Sequence, residues 1–462
     1  MANKERRLWH LVDRLEGDKV VWIIALMLLL ISVVCIFSSS SRLLGDGQTR
    51  LDIVADQLKM VGVALLVIIL CYNIRSIGFL RWCSKWGFFI SLTLLVLLQF
   101  IGSEINGAVR IIKIGGFQLH VFEVVKVAMV MYMSWAVDAI MRNKFTLLNT
   151  LATQPNFRWL GRRLTKKIIF IYLPFIITTV LVMTGSNSSA LLIGGIMLVT
   201  IVIGGGEWKE LAALGLVGIA VLAFCLGAHA ITRNSAHPAF QRIATAVERI
   251  AGEDQEKKYI IATEELRAAT TPEARQKAAA KRLDALDKLR QPYSAKIAIS
   301  QGGFTGKGPG QSTQRYVVPD MSEDYMFSFI LEEYGFLGAL IVIALYVSLV
   351  ARGSLIVRNC GNNVFAKTAV AGLCLLISGQ AFLHICVNAD LGPMTGQTLP
   401  LLSHGNFALM CFALAFGIIL SISRIAQKGL ERETRDAKDI LATQTIETPV
   451  TTTQDNGNEQ LI

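Results

Sequence analysis

VPDMSEDYMFSFILEEYGFLGALIVIALYVSLV, Val318 to Val350, sets Asp320, Glu323 and Asp324 at the threshold of a long apolar run and Glu332 and Glu333 inside it. A run of this length with so few charges reads as a membrane-spanning helix that starts near Met326. Charge close to hydrocarbon is expensive, so these acids predict a partner, water or a chemical role. Outward from this span, further apolar runs fall near Val20 to Phe37, Leu58 to Cys71, Gly87 to Ile101, Val121 to Ile140, Ile168 to Met183, Ala190 to Ile203, Leu211 to Ala228, Thr368 to Val387 and Phe407 to Ile422. The expectation is an all-α polytopic membrane protein of about ten transmembrane helices with a large extracytoplasmic loop between helices seven and eight.

Composition agrees with that class. The chain has 462 residues, of which 53% are hydrophobic and 17% charged, proportions that exclude an ordinary soluble globule. Its 8 cysteines stand singly without a CxxC pair, so they read as small packing residues and not as a disulfide frame or zinc site. The first apolar run follows a charged stretch and has no small-residue cleavage site, which predicts a retained helix.

Lys and Arg in the short connections set the orientation. They crowd the N-terminus (Lys4, Arg6, Arg7, Arg14, Lys19), the loop with Arg75, Arg81 and Lys85, and the loop from Arg142 to Lys167. Arg352, Arg358, Arg424, Lys428 and Arg432 continue the alternation, while the loops around Asn187 and Asp390 carry no base. Arg42 and Arg50 run against the pattern and are outnumbered. Both termini are predicted to be cytoplasmic, and the net charge of +11 is then a topology signal that calls for no nucleic acid. The predicted organisation is a cytoplasmic N-terminus over 1–19, helices one to seven over 20–228, an extracytoplasmic loop over 229–325, helices eight to ten over 326–425, and a disordered cytoplasmic tail over 426–462.

Within the outer loop, Thr271 followed by Pro272 is a helix-start signature, and Leu283, Leu286 and Leu289 recur at helical spacing. Pro272 to Arg290 should be an amphipathic helix, with a second from about Ala244 to Leu266 completing a hairpin. A solvated insertion and a partner-binding element both fit it. SQGGFTGKGPGQS, Ser300 to Ser312, is glycine-rich, so its backbone N–H groups can approach a phosphate, with Lys307 supplying charge. Asn106 to Ala136 reads as a glycine-containing outer turn, with Asn106, Gly107, Arg110 and Lys113, leading into a helix that bears Glu123 and Lys126. These two lie at i, i+3 on one face and can pair inside the bundle. Glu332 or Glu333 can also pair with a base there, with Lys126 as a candidate.

Taken in order, these stretches resemble the FtsW/RodA/SpoVE (SEDS) family of membrane glycosyltransferases. NGAVRI resembles that family's NGARRWI, FEVVK the second half of its QPSExxK, and SQGGFTGKGPGQS its GSGGLxGKGxGxS. VPDMSEDYMFSFILEEYG is similar to LPExHTDFIFxxxxEELG, and GPMTGQTLPLLSHGN to GLLPTKGLTLPLxSYGG. The sequence departs from the pattern at Val109, Ile111, His120 to Phe122, Gly185 to Ser189, Ser322 and Glu323, Met394 and Thr395, His404, and Asn406 and Phe407. The resemblance implies polymerisation of lipid II, the lipid-linked peptidoglycan precursor, in the bacterial cytoplasmic (inner) membrane with an extracytoplasmic active site. It also implies that Asp324 is the catalytic carboxylate.

Extension of a glycan by hydroxyl attack needs a base, and a carboxylate at a polar rim can serve. Asp324 can alternatively hold Mg2+ or Mn2+ against a pyrophosphate. Arg110, Arg242 and Lys307 are candidate pyrophosphate-binding cations, Arg242 by its likeness to an Arg before the family's large outer loop. Ser403 is a further substrate-binding candidate. The partners implied are a class B penicillin-binding protein transpeptidase and other division-machinery membrane proteins. The first helix and its GDKV lead-in favour the division-type branch over the elongation-type one, and a flippase of lipid-linked sugars remains the alternative activity.

Overall fold

A helix that is apolar on every side has no face to show to water and must be buried in protein or lipid. The computed structural model is built from such helices. It describes residues 16–39, 50–105, 108–114, 117–206, 209, 212, 215–216, 255–318, 321–392 and 395–446. The helices are α1 (Lys19–Ser39), α2 (Arg50–Tyr72), α3 (Ile77–Ile101), α4 (Val121–Met141), the short α5 (Thr146–Leu151), α6 (Arg163–Met183), α7 (Asn187–Ile203), α8 (Gln255–Ala268), α9 (Pro272–Gly302), α10 (Met326–Asn359), α11 (Val364–Asn388) and α12 (Asn406–Ile446). Among the described residues, 8 are long and apolar enough to cross a membrane, and α7 is a shorter apolar helix beside them. The predicted run Leu211 to Ala228 lies almost wholly outside the described residues.

The α4 and α12 helices are the most enclosed spans, whereas α2 and α3 turn much of their surface outward. Small residues let the helices approach closely. A Cβ on Gly353 of α10 would lie 2.6 Å from the Cys374 Sγ of α11, and one on Gly417 of α12 would lie 2.6 Å from the Cys71 Cβ of α2. These cysteines are packing residues, as their apolar surroundings predicted. At the end of α4 away from Lys126, buried Asp138 pairs with Arg81 at 3.1 Å and Arg142 at 2.8 Å, so its charge is met inside the bundle.

Three elements differ from the sequence reading. Where a turn was expected, β1 (Ser103–Ile105), β2 (Ala108–Ile114) and β3 (Phe117–His120) form an antiparallel sheet, with Ile114 paired to Phe117 across Gly115 and Gly116. A β-branched run closed by Gly-Gly is a hairpin signal, so the strands were legible. The hairpin helix α9 does not stop at Arg290; it passes Pro292 and ends at Gly302. Its last turns bury Ala295 and Ala298 in the protein's hydrophobic core, and that packing against α10 outweighs the proline. Thr271 does cap α9, its hydroxyl accepting from Ala274 N at 3.3 Å. Finally, α12 continues as helix to Ile446, so 426–446 is not the disordered tail expected; Gln427–Glu431 and Thr434–Leu430 contacts run along it at helical spacing.

Candidate active site

Asp324 lies in the turn 321–325 that leads into α10, half-buried, beside exposed Glu323. The turn is held from beneath by two other segments. Asn388 Nδ2 donates to the Asp324 carbonyl at 3.1 Å, the Ser403 hydroxyl to the Glu323 carbonyl at 2.7 Å, and His404 N to the Ser322 carbonyl at 2.8 Å. The first N–H groups of a helix need acceptors, and Tyr325 gives α10 no side-chain cap. α11 supplies them: Asn388 Oδ1 accepts from Ser328 N at 2.9 Å, and His384 Nε2 from Phe327 N at 3.4 Å. With Nε2 accepting, His384 Nδ1 carries the proton and donates to the Gln397 carbonyl at 2.7 Å. Buried Ser403, proposed from sequence as a substrate contact, spends its donor on this turn and accepts from Leu399 N at 2.8 Å.

Arg110 comes to the same place from β2. Gly396 has a φ of 58°, and a Cβ there would lie 3.6 Å from both Arg110 Nη1 and Asp324 Oδ2, so the two groups border one point. Lys113 has the opposite parity on β2, hence the opposite face, so the two cations do not form one clamp. Below Arg110 a polar network binds the 395–405 segment to the bundle. The Ser188 hydroxyl donates to the Thr395 carbonyl at 3.1 Å, and Gln397 Nε2 to Ser189 Oγ at 2.9 Å. Lys126, 1% exposed, donates to Glu123 at 2.6 Å, Gln380 at 2.7 Å and Gln397 at 2.8 Å. All three of its protons are thereby used. Lys126 pairs with Glu123 as the spacing predicted, and not with Glu332 or Glu333.

Those two acids have another duty. Helix α10 breaks at Gly335, whose φ of 64° and ψ of −166° are not helical. The glycine-rich segment lies along the break: Lys307 N donates to the Glu332 carbonyl at 2.9 Å, Gly308 N to the Glu333 carbonyl at 3.0 Å, and Phe336 N to the Gly303 carbonyl at 3.0 Å. At Gly306, where φ is 80°, a Cβ would fall 2.2 Å from the Glu333 carbonyl oxygen, so only glycine fits. These N–H groups therefore serve the broken helix and not a phosphate, which corrects the sequence reading of this segment. Glu332, fully buried, accepts from Lys307 Nζ at 2.7 Å, from Thr313 N at 2.9 Å and from the Ser312 hydroxyl. Glu333 accepts from Ser38 at 2.6 and 2.8 Å and faces Arg315 at 3.7 Å. Lys307, which also donates to Gln301 and Thr313, is thus tied to Glu332.

Sequence reasoning overlooked Gln380, His384 and Asn388. Their spacing by four along otherwise apolar α11 was the available signal, a polar stripe facing the bundle interior. Departures from the family pattern also meet one another here. The His120 ring lies 6.5 Å from that of Phe407 at an interplanar angle of 25°, and a Cβ on Gly185 would fall 2.4 Å from Phe122 Cζ. Each larger ring thus sits against another position that has changed. Partial burial holds the His404 imidazole below its ordinary pKa, against the opposing charge of Asp56. Asn106, Gly107, Arg242 and Asp320 lie outside the described residues.

A helical bundle of this kind has solved counterparts. The fold matches a chain of the structure described as "Structural coordination of polymerization and crosslinking by a peptidoglycan synthase complex" with a TM-score of 0.57, at 20% identity over 89% of this chain and 98% of that one. It also matches the rod shape determining protein RodA of Thermus thermophilus with a TM-score of 0.54, at 18% identity over 89% and 98% of the two chains. In sequence, the chain is 25% identical over 338 residues to the "Probable peptidoglycan glycosyltransferase FtsW" of Caulobacter vibrioides, covering 72% of this chain and 70% of that protein. The FtsW/RodA/SpoVE profile, described as "Cell cycle protein", matches residues 18–251 and 280–428. The chain belongs to the FtsW/RodA/SpoVE family.

Proposed function

We propose that this chain is a peptidoglycan glycosyltransferase that polymerises lipid II at the outer face of the bacterial cytoplasmic membrane during cell division, with both termini cytoplasmic. The observation that carries the reading is that Asp324 and Arg110 both border Gly396, on three segments that resemble family motifs. The sugar 4-hydroxyl of one substrate attacks the anomeric carbon of the other, whose bond to the lipid pyrophosphate breaks. Asp324 takes the hydroxyl proton, and Arg110 faces the charge that develops on the leaving pyrophosphate. Asn388, His384 and Ser403 position the turn without touching substrate.

A divalent ion held by protein alone needs more oxygen ligands than Asp324 provides. No cluster of three His, Cys, Asp or Glu suited to a metal occurs among the described residues, and a guanidinium already borders the carboxylate. The described residues build no all-protein cage, and an ion shared between Asp324 and the substrate pyrophosphate stays the alternative role of this carboxylate, to which no step is assigned. A class B penicillin-binding protein is the proposed partner, supported by the fold's likeness to a chain of a synthase complex. The test supplies lipid II to the purified chain with that transpeptidase. Glycan strands on a gel are expected; lipid II crossing vesicles without strand formation would make the protein a transporter instead.

A further inference from the structure

The segment that brings Gly396 to the site is held by polar contacts along its length. The Ser188 hydroxyl donates to the Thr395 carbonyl at 3.1 Å, Gln397 Nε2 to Ser189 Oγ at 2.9 Å, and Gln380 Nε2 to the Thr398 carbonyl at 2.9 Å. Gln397 Oε1 accepts from Lys126 at 2.8 Å. Buried polar atoms are ordinarily satisfied in this way. Two atoms of the cluster are not: among the described residues, Thr395 Oγ1 and Glu123 Oε2 are enclosed and have no hydrogen-bond partner.

Glu123 has a structural duty through its other oxygen, which accepts from Lys126 at 2.6 Å. The Thr395 side chain has none, since its carbonyl and not its hydroxyl anchors the segment. A buried hydroxyl that makes no bond costs stability, and its presence calls for an explanation. Its place supplies one. Thr395 precedes Gly396, so its Oγ1 lies within about 6 Å of the Gly396 Cα. A Cβ on Gly396 would lie 3.6 Å from Arg110 Nη1 and from Asp324 Oδ2. A hydroxyl with an unspent proton and a guanidinium are both donors, and the group that two neighbouring donors share is an acceptor-only anion such as a phosphoryl oxygen. Thr395 as a whole is only partly buried, so a turn of its side chain between staggered rotamers changes what the hydroxyl meets. Such contacts often close only when substrate is bound. Thr395 is also a position where the sequence departs from the family pattern, which makes this donor a feature of this chain.

We propose that the Thr395 hydroxyl donates to a pyrophosphate oxygen of the lipid-linked substrate, beside Arg110, and keeps that bond to the pyrophosphate as it leaves. The inference rests on the glycosyltransferase reading and names a specific contact for its leaving group.

The test uses the purified full chain in detergent micelles and reads binding of the polyprenyl pyrophosphate released from lipid II by thermophoresis. Thr395→Val keeps the shape of the side chain and removes the hydroxyl. It should weaken binding about tenfold, equivalent to about 1.4 kcal/mol. Its melting temperature should equal or exceed that of wild type, because no bond within the protein is lost. Thr395→Ser keeps the hydroxyl and should bind within about twofold of wild type. Undiminished affinity in Thr395→Val would overturn the proposal, and so would a clearly lower melting temperature, which would make the hydroxyl structural. A rise in KM for lipid II in Thr395→Val with unchanged affinity for the pyrophosphate would place the hydroxyl on the sugar and also overturn it. Wild type that binds the pyrophosphate through Thr395 yet forms no strands from lipid II would end the glycosyltransferase reading and leave this contact standing.

Discussion

Asp324 and the Glu332–Glu333 pair come from one stretch of sequence, yet the fold uses them oppositely. The turn at Asp324 is gripped through backbone atoms, by Asn388 at its own carbonyl and by Ser403 at that of Glu323, and its carboxylate reaches the point shared with Arg110. Glu332 and Glu333 are fully enclosed, and their carboxylate oxygens collect donors from Lys307, Ser312, Thr313 and Ser38. A buried charge surrounded by donors stabilises a particular arrangement of backbone, whereas a half-exposed charge on a rigid support is available to a substrate. Burial, not proximity in sequence, separates the two kinds of acid.

The largest effect that would break this comparison is expected at the helix break. Gly306→Val drives a side chain into the Glu333 carbonyl at a φ of 80°, where no branched residue is comfortable. It should lower the yield of monodisperse protein about tenfold in size-exclusion chromatography, a strain on the order of a few kcal/mol. Normal yield would mean that the glycine-rich segment does not brace α10. Next, Glu333→Ala strips a buried Arg315 of its carboxylate, at a cost of about 3–5 kcal/mol for a broken buried pair. The melting temperature should fall sharply, with partial recovery in Glu333→Ala/Arg315→Met.

A smaller effect sharpens the other side. Asn388→Ala removes one contact to the Asp324 carbonyl and the cap of Ser328, so kcat should fall about tenfold, equivalent to about 1.4 kcal/mol, with KM nearly constant. An equal rise in KM would instead place Asn388 in substrate binding. Smallest of all, Glu323→Gln changes an exposed side chain and keeps the backbone carbonyl that anchors the turn. Polymerisation within about twofold of wild type is expected, as for surface substitutions away from special features.

Sequence alone carried the spanning helices, because an apolar run of membrane length is long enough to cross the hydrocarbon layer and too apolar to face water. It carried the Glu123–Lys126 pair, because i, i+3 spacing is local. It also carried the N-cap at Thr271. What it missed depends on distant segments meeting. The glycines of Ser300 to Ser312 looked like a phosphate cradle because glycine marks close backbone approach without saying to what; the answer, a broken helix at Gly335, lies on another segment. Lys126 was only a candidate base for Glu332 or Glu333 for the same reason, and the bases within reach are Lys307 and Arg315. The helix expected to end at Arg290 continues through Pro292 because Ala295 and Ala298 pack into the bundle.

The central claim, that Asp324 alone among these acids does chemistry, is tested most directly by strand formation from purified lipid II. Wild type, Asp324→Asn and Glu323→Gln are compared at matched protein levels with the transpeptidase present, each with and without a chelator. Asp324→Asn keeps the size of the side chain and loses its basicity, so it should fold, insert and bind its partner normally while turnover falls about 10²-fold or more. Wild-type turnover indifferent to chelation is the outcome expected of Asp324 acting as the base. Near wild-type strand formation by Asp324→Asn would contradict the account, and loss of wild-type activity on chelation would transfer the role of Asp324 from base to ion ligand.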